Sequence, residues 1–160
     1  MLALVLGLAA LQEAWPCGEG DASPVGAYYC FVHCVSVGRA DLASLQFADD
    51  AVVVAGAGCT ASAPCIGRAA IRGRYIMALN AGYASLPLND QRSDGRSLRI
   101  HGETDFALEP GQGAVGLRGG HVFEFRRGRI WSLRVEIDAS DPATAAYLQR
   151  RELETAIADH

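Results

Sequence analysis

The sequence contains no lysine, and all 14 of its Lys/Arg cations are therefore arginines. This absence excludes Schiff-base catalysis by lysine and any phosphate-binding loop that depends on a lysine. The formal net charge of -4 provides no basic field for phosphates, which argues against a nucleic-acid partner. The sequence also lacks a Cys-x-x-Cys pair and a cysteine–histidine cluster at zinc spacing, so we expect no metal site. We also expect no cofactor.

Long apolar runs are missing as well. Residues 1–11 form an apolar stretch that is too short to span a bilayer, and we expect no stable membrane span. The stretch resembles the hydrophobic part of a secretory signal, but no cation precedes it, and Glu13 and Pro16 crowd the place of a cleavage site. Residues 1–23 are thus either a signal-like leader or an N-terminal extension. The protein is exported if residues 1–16 act as a signal and cytoplasmic otherwise.

The 5 cysteines do not decide whether the protein works in an oxidising or a reducing compartment. Cys30 and Cys34 are four residues apart on a predicted helix, so they lie on one face and are not expected to bond to each other. Cys59 and Cys65 close a loop of small residues and are disulfide candidates in an oxidising environment. The odd count leaves at least one free thiol.

Helical and strand-like patterns follow one another along the chain. Helical spacing predicts helices over 25–36, 41–47 and 69–80, with a turn at 49–50. Strand signals, mostly later in the chain, predict strands over 51–55, 84–91, 97–106, 120–125 and 130–137, with turns at 109–113 and 126–129. We expect Ser140 to cap a last helix with Pro142 in its first turn. This order predicts an α+β fold with a curved, mostly antiparallel sheet wrapped around three N-terminal helices.

Three stretches carry a resemblance to a known family. They are G-R-A-D-L-A-S-L-Q-F-A-D-D-A-V-V-V (38–54), G-R-A-A-I-R (67–72) and H-V-F-E-F-R-R-G-R-I-W-S-L-R-V-E-I-D (121–138). The chain resembles the SnoaL-like branch of the nuclear-transport-factor-2-like superfamily over residues 24–138, followed by a C-terminal helix within 139–160. The resemblance implies a cone, in which the sheet encloses a pocket for a small apolar molecule, and a homodimer. It does not select an activity, because the superfamily includes isomerases, epoxide hydrolases, dehydratases, polyketide cyclases and transport factors.

Two enzymatic branches are not matched residue by residue. Phe31, Ala55 and His121 occupy the positions at which ketosteroid-isomerase-like members carry a tyrosine, an aspartate base and a second acid. Without that base the isomerase chemistry is excluded at these positions. Val135 and Thr104 stand where epoxide-hydrolase-like members carry an aspartate and an arginine. The resemblance therefore implies the pocket without the catalytic residues of either branch.

Strand alternation predicts which side chains face the pocket. His121 is the strongest candidate for a functional group, because a neutral imidazole can serve as an acid/base or donate a hydrogen bond; the alternative is a buried structural histidine. Tyr75 is a second catalytic candidate. The predicted ligand-binding residues are Phe31, Tyr28, Val53, Ala55, Ile100, Thr104, Phe123, Leu133 and Val135.

The opposite face of the same strands carries alternating charges. Arg99, His101, Glu103 and Asp105 with Arg134 and Glu136 are predicted to form a cross-strand ion-pair network. A register slip of one residue would exchange this face with the apolar one. Two functions stay open: a cofactor-independent isomerase, dehydratase, cyclase or hydrolase that uses His121, and a non-catalytic binding or dimerisation module. The first requires a cavity beside His121, which Gly102 would help to keep open.

Overall fold

The computed structural model describes residues 23–56, 58–81, 91–106 and 115–158, with the backbone alone described for 101–106, 115–117 and 151–158. Three predictions lie outside these ranges: residues 1–22 of the leader, the turn at 109–113, and strand 84–91 apart from its last residue. Within the described ranges, no helix is long and apolar enough to cross a membrane.

The first two helices close one side of the core. Helix α1 (Pro24–Ser36) starts where the Ser23 side chain accepts a hydrogen bond from the Gly26 amide at 3.0 Å, which satisfies one of the free donors of the first turn. It ends before Gly38, whose φ of +74° suits a residue without a side chain. Helix α2 (Ala40–Leu45) follows directly.

The third helical segment is continuous but irregular. It consists of α3 (Gly67–Ala70), a π-helical stretch (Ile71–Ile76) and α4 (Met77–Asn80). The predicted helix over 69–80 is therefore present, and it begins two residues earlier. A π-helical stretch widens the turn, which here accompanies the burial of both Tyr75 and its neighbour Ile76.

Six strands form one sheet. They are β1 (Phe47–Val54), β2 (Cys65–Ile66), β3 (Gln91–Ser93), β4 (Ser97–Phe106), β5 (Val115–Arg126) and β6 (Arg129–Ile137), in the order β2-β1-β6-β5-β4-β3. Neighbouring strands are antiparallel except β1 and β6, which run parallel, with Val53 opposite Leu133. The predicted α+β class and mostly antiparallel sheet are confirmed.

The boundary between α2 and β1 corrects the prediction. The helix ends at Leu45 rather than at Phe47, and Asp49 and Asp50 lie inside β1 rather than in a turn. The pairing of β1 with β6 shifts its register between Phe47 and Val52. This irregularity leaves both carboxylates exposed, where each meets an arginine from another element.

The start of the last helix, α5 (Pro142–Ala158), also differs from the prediction. Asp141 rather than Ser140 is the cap, because its carboxylate accepts a hydrogen bond from the Thr144 amide at 2.9 Å. The Thr144 hydroxyl is buried and accepts a hydrogen bond from the Arg118 amide at 3.0 Å. This contact fixes the helix to the edge of β5.

Candidate functional site

His121 lies in the interior, in the middle of β5. It stands between Ile100 on β4 and Val135 on β6, and only 2% of its surface is exposed. Alternation along β5 brings Phe123 to the same face, where its ring centroid lies 6.3 Å from that of His121. The imidazole therefore belongs to the wall that the sheet presents to the helices.

Burial sets the charge of this imidazole. Loss of water contact disfavours the imidazolium and lowers the pKa of His121 from 6.5 to about 4. At neutral pH the ring is neutral, with one nitrogen that donates and one that accepts hydrogen bonds. It is therefore suited to bind a polar atom of a ligand without carrying charge.

Aromatic rings continue the wall toward the helices. Tyr28 on α1 meets Phe123 edge to face, with centroids 4.9 Å apart. The ring of Phe31, one helical turn further along α1, meets the ring of Phe47 with centroids 5.2 Å apart. Its centroid lies 6.5 Å from that of Tyr75. The rings supply apolar contact area and edge-to-face packing, so polar groups in this region are few.

Tyr75 brings a second polar atom into the core. Its side chain is buried, and its hydroxyl has no hydrogen-bond partner among the described residues. Burial first, and the nearby phenol of Tyr28 second, raise the pKa of Tyr75, so the hydroxyl stays protonated. A buried donor left without a partner is costly, which makes this hydroxyl available to a ligand.

Two glycines lie next to His121 on the inner face. Gly102 on β4 pairs with Gly119 on β5, one inward position beyond the pair Ile100 and His121. A Cβ atom on Gly119 would lie 2.5 Å from the carbonyl oxygen of Glu136 on β6, so β5 and β6 approach each other there more closely than a side chain permits. The backbone of β6 therefore occupies the place that a side chain of residue 119 would take, and only a glycine fits there.

Comparisons with known proteins identify the fold alone. No protein-family model matches the chain, and no curated protein matches its sequence at a significant level. Solved structures do match. The epoxide hydrolase/cyclase-like enzyme SalBIII, reported for pyran ring formation in the polyether salinomycin, superposes with a TM-score of 0.58 at 20% identity, over 77% of this chain and 96% of that one.

Two further structures show the same likeness. An NTF2-like protein of unknown function from Burkholderia pseudomallei has a TM-score of 0.57 at 13% identity, over 74% of this chain and 92% of that one. A candidate polyketide cyclase from Sinorhizobium meliloti has a TM-score of 0.51 at 22% identity, over 70% of this chain and 92% of that one. The chain has the nuclear-transport-factor-2-like fold. The predicted resemblance to SnoaL-like proteins is confirmed at the level of the fold.

In this nuclear-transport-factor-2-like fold, most of the predicted ligand-binding residues line the interior. The side chains of one group are buried and belong to the core: Tyr28, Phe31, Val53, Ala55, Ile100, Phe123 and Leu133. Val135 is partly buried against them. The side chain of Thr104 lies outside the described residues.

The charged outer face of the cone is present in part. Arg99 contacts Glu136 at 3.0 Å, and Arg134 contacts Glu136 at 3.2 Å and Glu124 at 3.6 Å. Val122, opposite both arginines in the ladder, is buried between their strands. The other predicted members, His101, Glu103 and Asp105, lie among the side chains that are not described.

The cysteines follow the expected division. A disulfide joins Cys59 and Cys65, whose Cα atoms are 5.1 Å apart. Cys30 and Cys34 are in no disulfide in the described part of the chain, and both are buried. In the described part of the chain, no group of histidine, cysteine and acidic side chains is arranged to hold a metal ion.

Sequence reasoning missed one cluster altogether. Arg68, Arg126, Arg127 and Arg129 border a surface cleft together with Asp49 and Asp50. The sequence signal is the run R-R-G-R, whose pattern by itself indicates only a turn. Its meaning depends on Arg68 and the two aspartates, which come from distant segments.

Proposed function

We propose that the chain binds a small, mostly apolar molecule inside the cone and uses His121 as the acid/base group of a cofactor-independent isomerisation, dehydration, cyclisation or hydrolysis. The burial of a neutral imidazole on the inner face, next to the ring of Phe123, is the observation that carries this proposal. The aromatic wall supplies the apolar contacts, and Tyr75 supplies a second donor.

The neutral state of His121 favours reactions in which a proton moves without a separated charge. An imidazole with a pKa of about 4 is a weak base at neutral pH, which disfavours the isomerisations and dehydrations that begin with removal of a proton from carbon. It can accept the proton of a hydroxyl group and return that proton to a departing oxygen of the same substrate. Such a reaction forms one C–O bond and breaks another, and the product has as many protons as the substrate.

Ring closure of a hydroxy-epoxide fits this requirement. The hydroxyl oxygen attacks an epoxide carbon, the epoxide C–O bond breaks, and the hydroxyl proton ends on the epoxide oxygen. The hydroxyl of Tyr75 is a further donor for the oxygen that accumulates charge. The likeness to SalBIII, whose reported role is pyran ring formation, supports this class over hydrolysis by an activated water.

A second candidate function is binding without catalysis. The low pKa of His121 also favours this candidate, because a group that resists protonation is a better hydrogen-bond partner than proton carrier. In that case the cone holds its ligand, and His121 fixes the orientation of one polar atom.

The experiment that separates the two candidates measures turnover and binding in parallel. A panel of hydroxy-epoxides, epoxides and enones is incubated with the wild type, His121→Leu and Tyr75→Phe, and binding of the same compounds is followed by calorimetry. His33→Gln is the control, since it replaces an exposed histidine on α1. Loss of one acid/base group costs about 100- to 10,000-fold in rate.

Catalysis predicts turnover by the wild type and His33→Gln that His121→Leu loses. Binding that His121→Leu weakens, with no turnover by any variant, identifies the non-catalytic module. If the wild type binds no member of the panel, or if His121→Leu binds and reacts as the wild type does, the proposal is wrong.

A further inference from the structure

An open cleft lies at the end of the sheet remote from the glycine pair. It has a volume of about 460 Å³ and is lined by Ala48, Asp49, Asp50, Arg68, Arg126, Arg127 and Arg129. We call this set the arginine cleft. Arg126 is five residues beyond His121 on the same strand, about 17 Å along it, so the cleft is separate from the proposed site.

The two carboxylates of the cleft are already engaged. Asp49 pairs with Arg68 at 2.9 Å, and Asp50 pairs with Arg126. The guanidinium of Arg126 holds the pKa of Asp50 below its ordinary value. Four cations against two anions leave the lining with an excess of two positive charges, in a chain whose net charge is -4.

Two of the arginines are held in place by the backbone. Arg68 donates through Nε to the Phe47 carbonyl at 2.7 Å, and only 28% of its side chain is exposed. Arg129 donates through Nη1 to the Leu45 carbonyl. These bonds leave Nη2 of each guanidinium without a partner among the described residues. A donor that is fixed before binding loses little conformational freedom when an anion arrives.

Arg127 completes the set. It is exposed, and it makes no hydrogen bond or ion pair with any described residue. Its φ of +53° lies in the left-handed region, which a non-glycine residue adopts at a cost of about 1–2 kcal/mol. The tight turn therefore presents an uncommitted guanidinium at the mouth of the cleft, between Arg126 and Arg129.

The geometry points to the arginine cleft as a binding site for the phosphate group of a small soluble molecule. Guanidinium forks match phosphate oxygens, and several forks from different directions suit a group with three or four acceptors. Asp49 and Asp50 restrict the site to one compact anion, because a long polyanion would meet both carboxylates. The negative chain as a whole likewise opposes an extended nucleic acid.

The test is a calorimetric titration of the full chain with inorganic pyrophosphate at constant ionic strength. Arg127→Asn removes the uncommitted cation, and asparagine tolerates the left-handed turn, so the hairpin is retained. Arg72→Gln is the matched control, since it removes one exposed cation from the π-helical stretch outside the cleft. Asp50→Asn removes a competing carboxylate and frees Arg126.

We expect saturable binding that Arg127→Asn weakens about tenfold, the loss of one charge-assisted hydrogen bond, while Arg72→Gln changes it less than about twofold. We expect Asp50→Asn to tighten binding. The inference is overturned if pyrophosphate does not bind at millimolar concentration, or if the two arginine variants weaken binding equally. Tighter binding of citrate, or binding only to vesicles that contain phosphatidic acid, would also overturn the assignment to a soluble phosphate compound.

Discussion

Protonation of His121 should make the protein less stable below pH 6.5. The unfolded chain binds a proton at this residue with a pKa near 6.5, whereas burial lowers the pKa in the folded state to about 4. As the pH falls below 6.5 the unfolded state gains protons and the folded state does not, so the free energy of unfolding decreases. The decrease ends near pH 4, where the folded state also becomes protonated.

The size of this effect follows from the two pKa values. Each pKa unit corresponds to about 1.4 kcal/mol, so the full loss is about 3 kcal/mol. At pH 5 it amounts to about 2 kcal/mol relative to pH 8, because the unfolded state is then almost fully protonated and the folded state almost not. A loss of this size is a large fraction of the stability of a single domain.

Urea unfolding at pH 8 and pH 5 measures this difference. Between pH 8 and pH 5 the free energy of unfolding should fall by the same amount in the wild type and in His33→Gln. In His121→Phe it should fall by about 2 kcal/mol less. The comparison cancels the acidic groups, which are common to all three proteins. Equal pH dependence in the wild type and His121→Phe would refute the burial of an uncharged imidazole at this position.

Four further substitutions test the interior, the π-helical stretch and the last helix. Gly119→Ala should lower the free energy of unfolding by about 1–3 kcal/mol, because its Cβ meets a backbone oxygen. Gly73→Ala should raise the free energy of unfolding by about 0.5–1 kcal/mol, because its Cβ meets nothing within 4 Å. Chemical denaturation of both variants checks this contrast. Tyr75→Phe should raise the melting temperature, since it removes a buried hydroxyl without a partner in the described structure, and unchanged ligand affinity in the same variant would contradict its proposed role. Asp141→Ala should cost about 1 kcal/mol by urea unfolding, and no change would mean that the cap is not formed.

The regular elements were predictable where local pattern and local chemistry agree. The alternation over 97–106 became β4 with the same bounds, and the run R-R-G-R became a hairpin whose central residues have φ values of +53° and +72°. Both depend on neighbours in sequence, namely the two-residue period of a strand and the need for positive φ in a tight turn. The inward position of His121 follows from the same alternation.

The errors arose where distant residues decide the local structure. Asp49 and Asp50 have turn-like composition, yet they lie in a strand, where Arg68 and Arg126 pair with them. The start of β5 at Val115 was missed because its glycines conceal the strand period. The parallel contact of β1 with β6 has no local signal, and the arginine cleft depends on it.

That parallel contact has a consequence for how the chain is made. Val53 leaves the ribosome long before Leu133, its partner across the ladder, has been synthesised. Until then β1 exposes a run of valines along an open edge, and the rings of α1 lack the wall against which they pack. Nascent chains of this protein should therefore depend on chaperones and on slow translation or low temperature more than a helical bundle of equal length does.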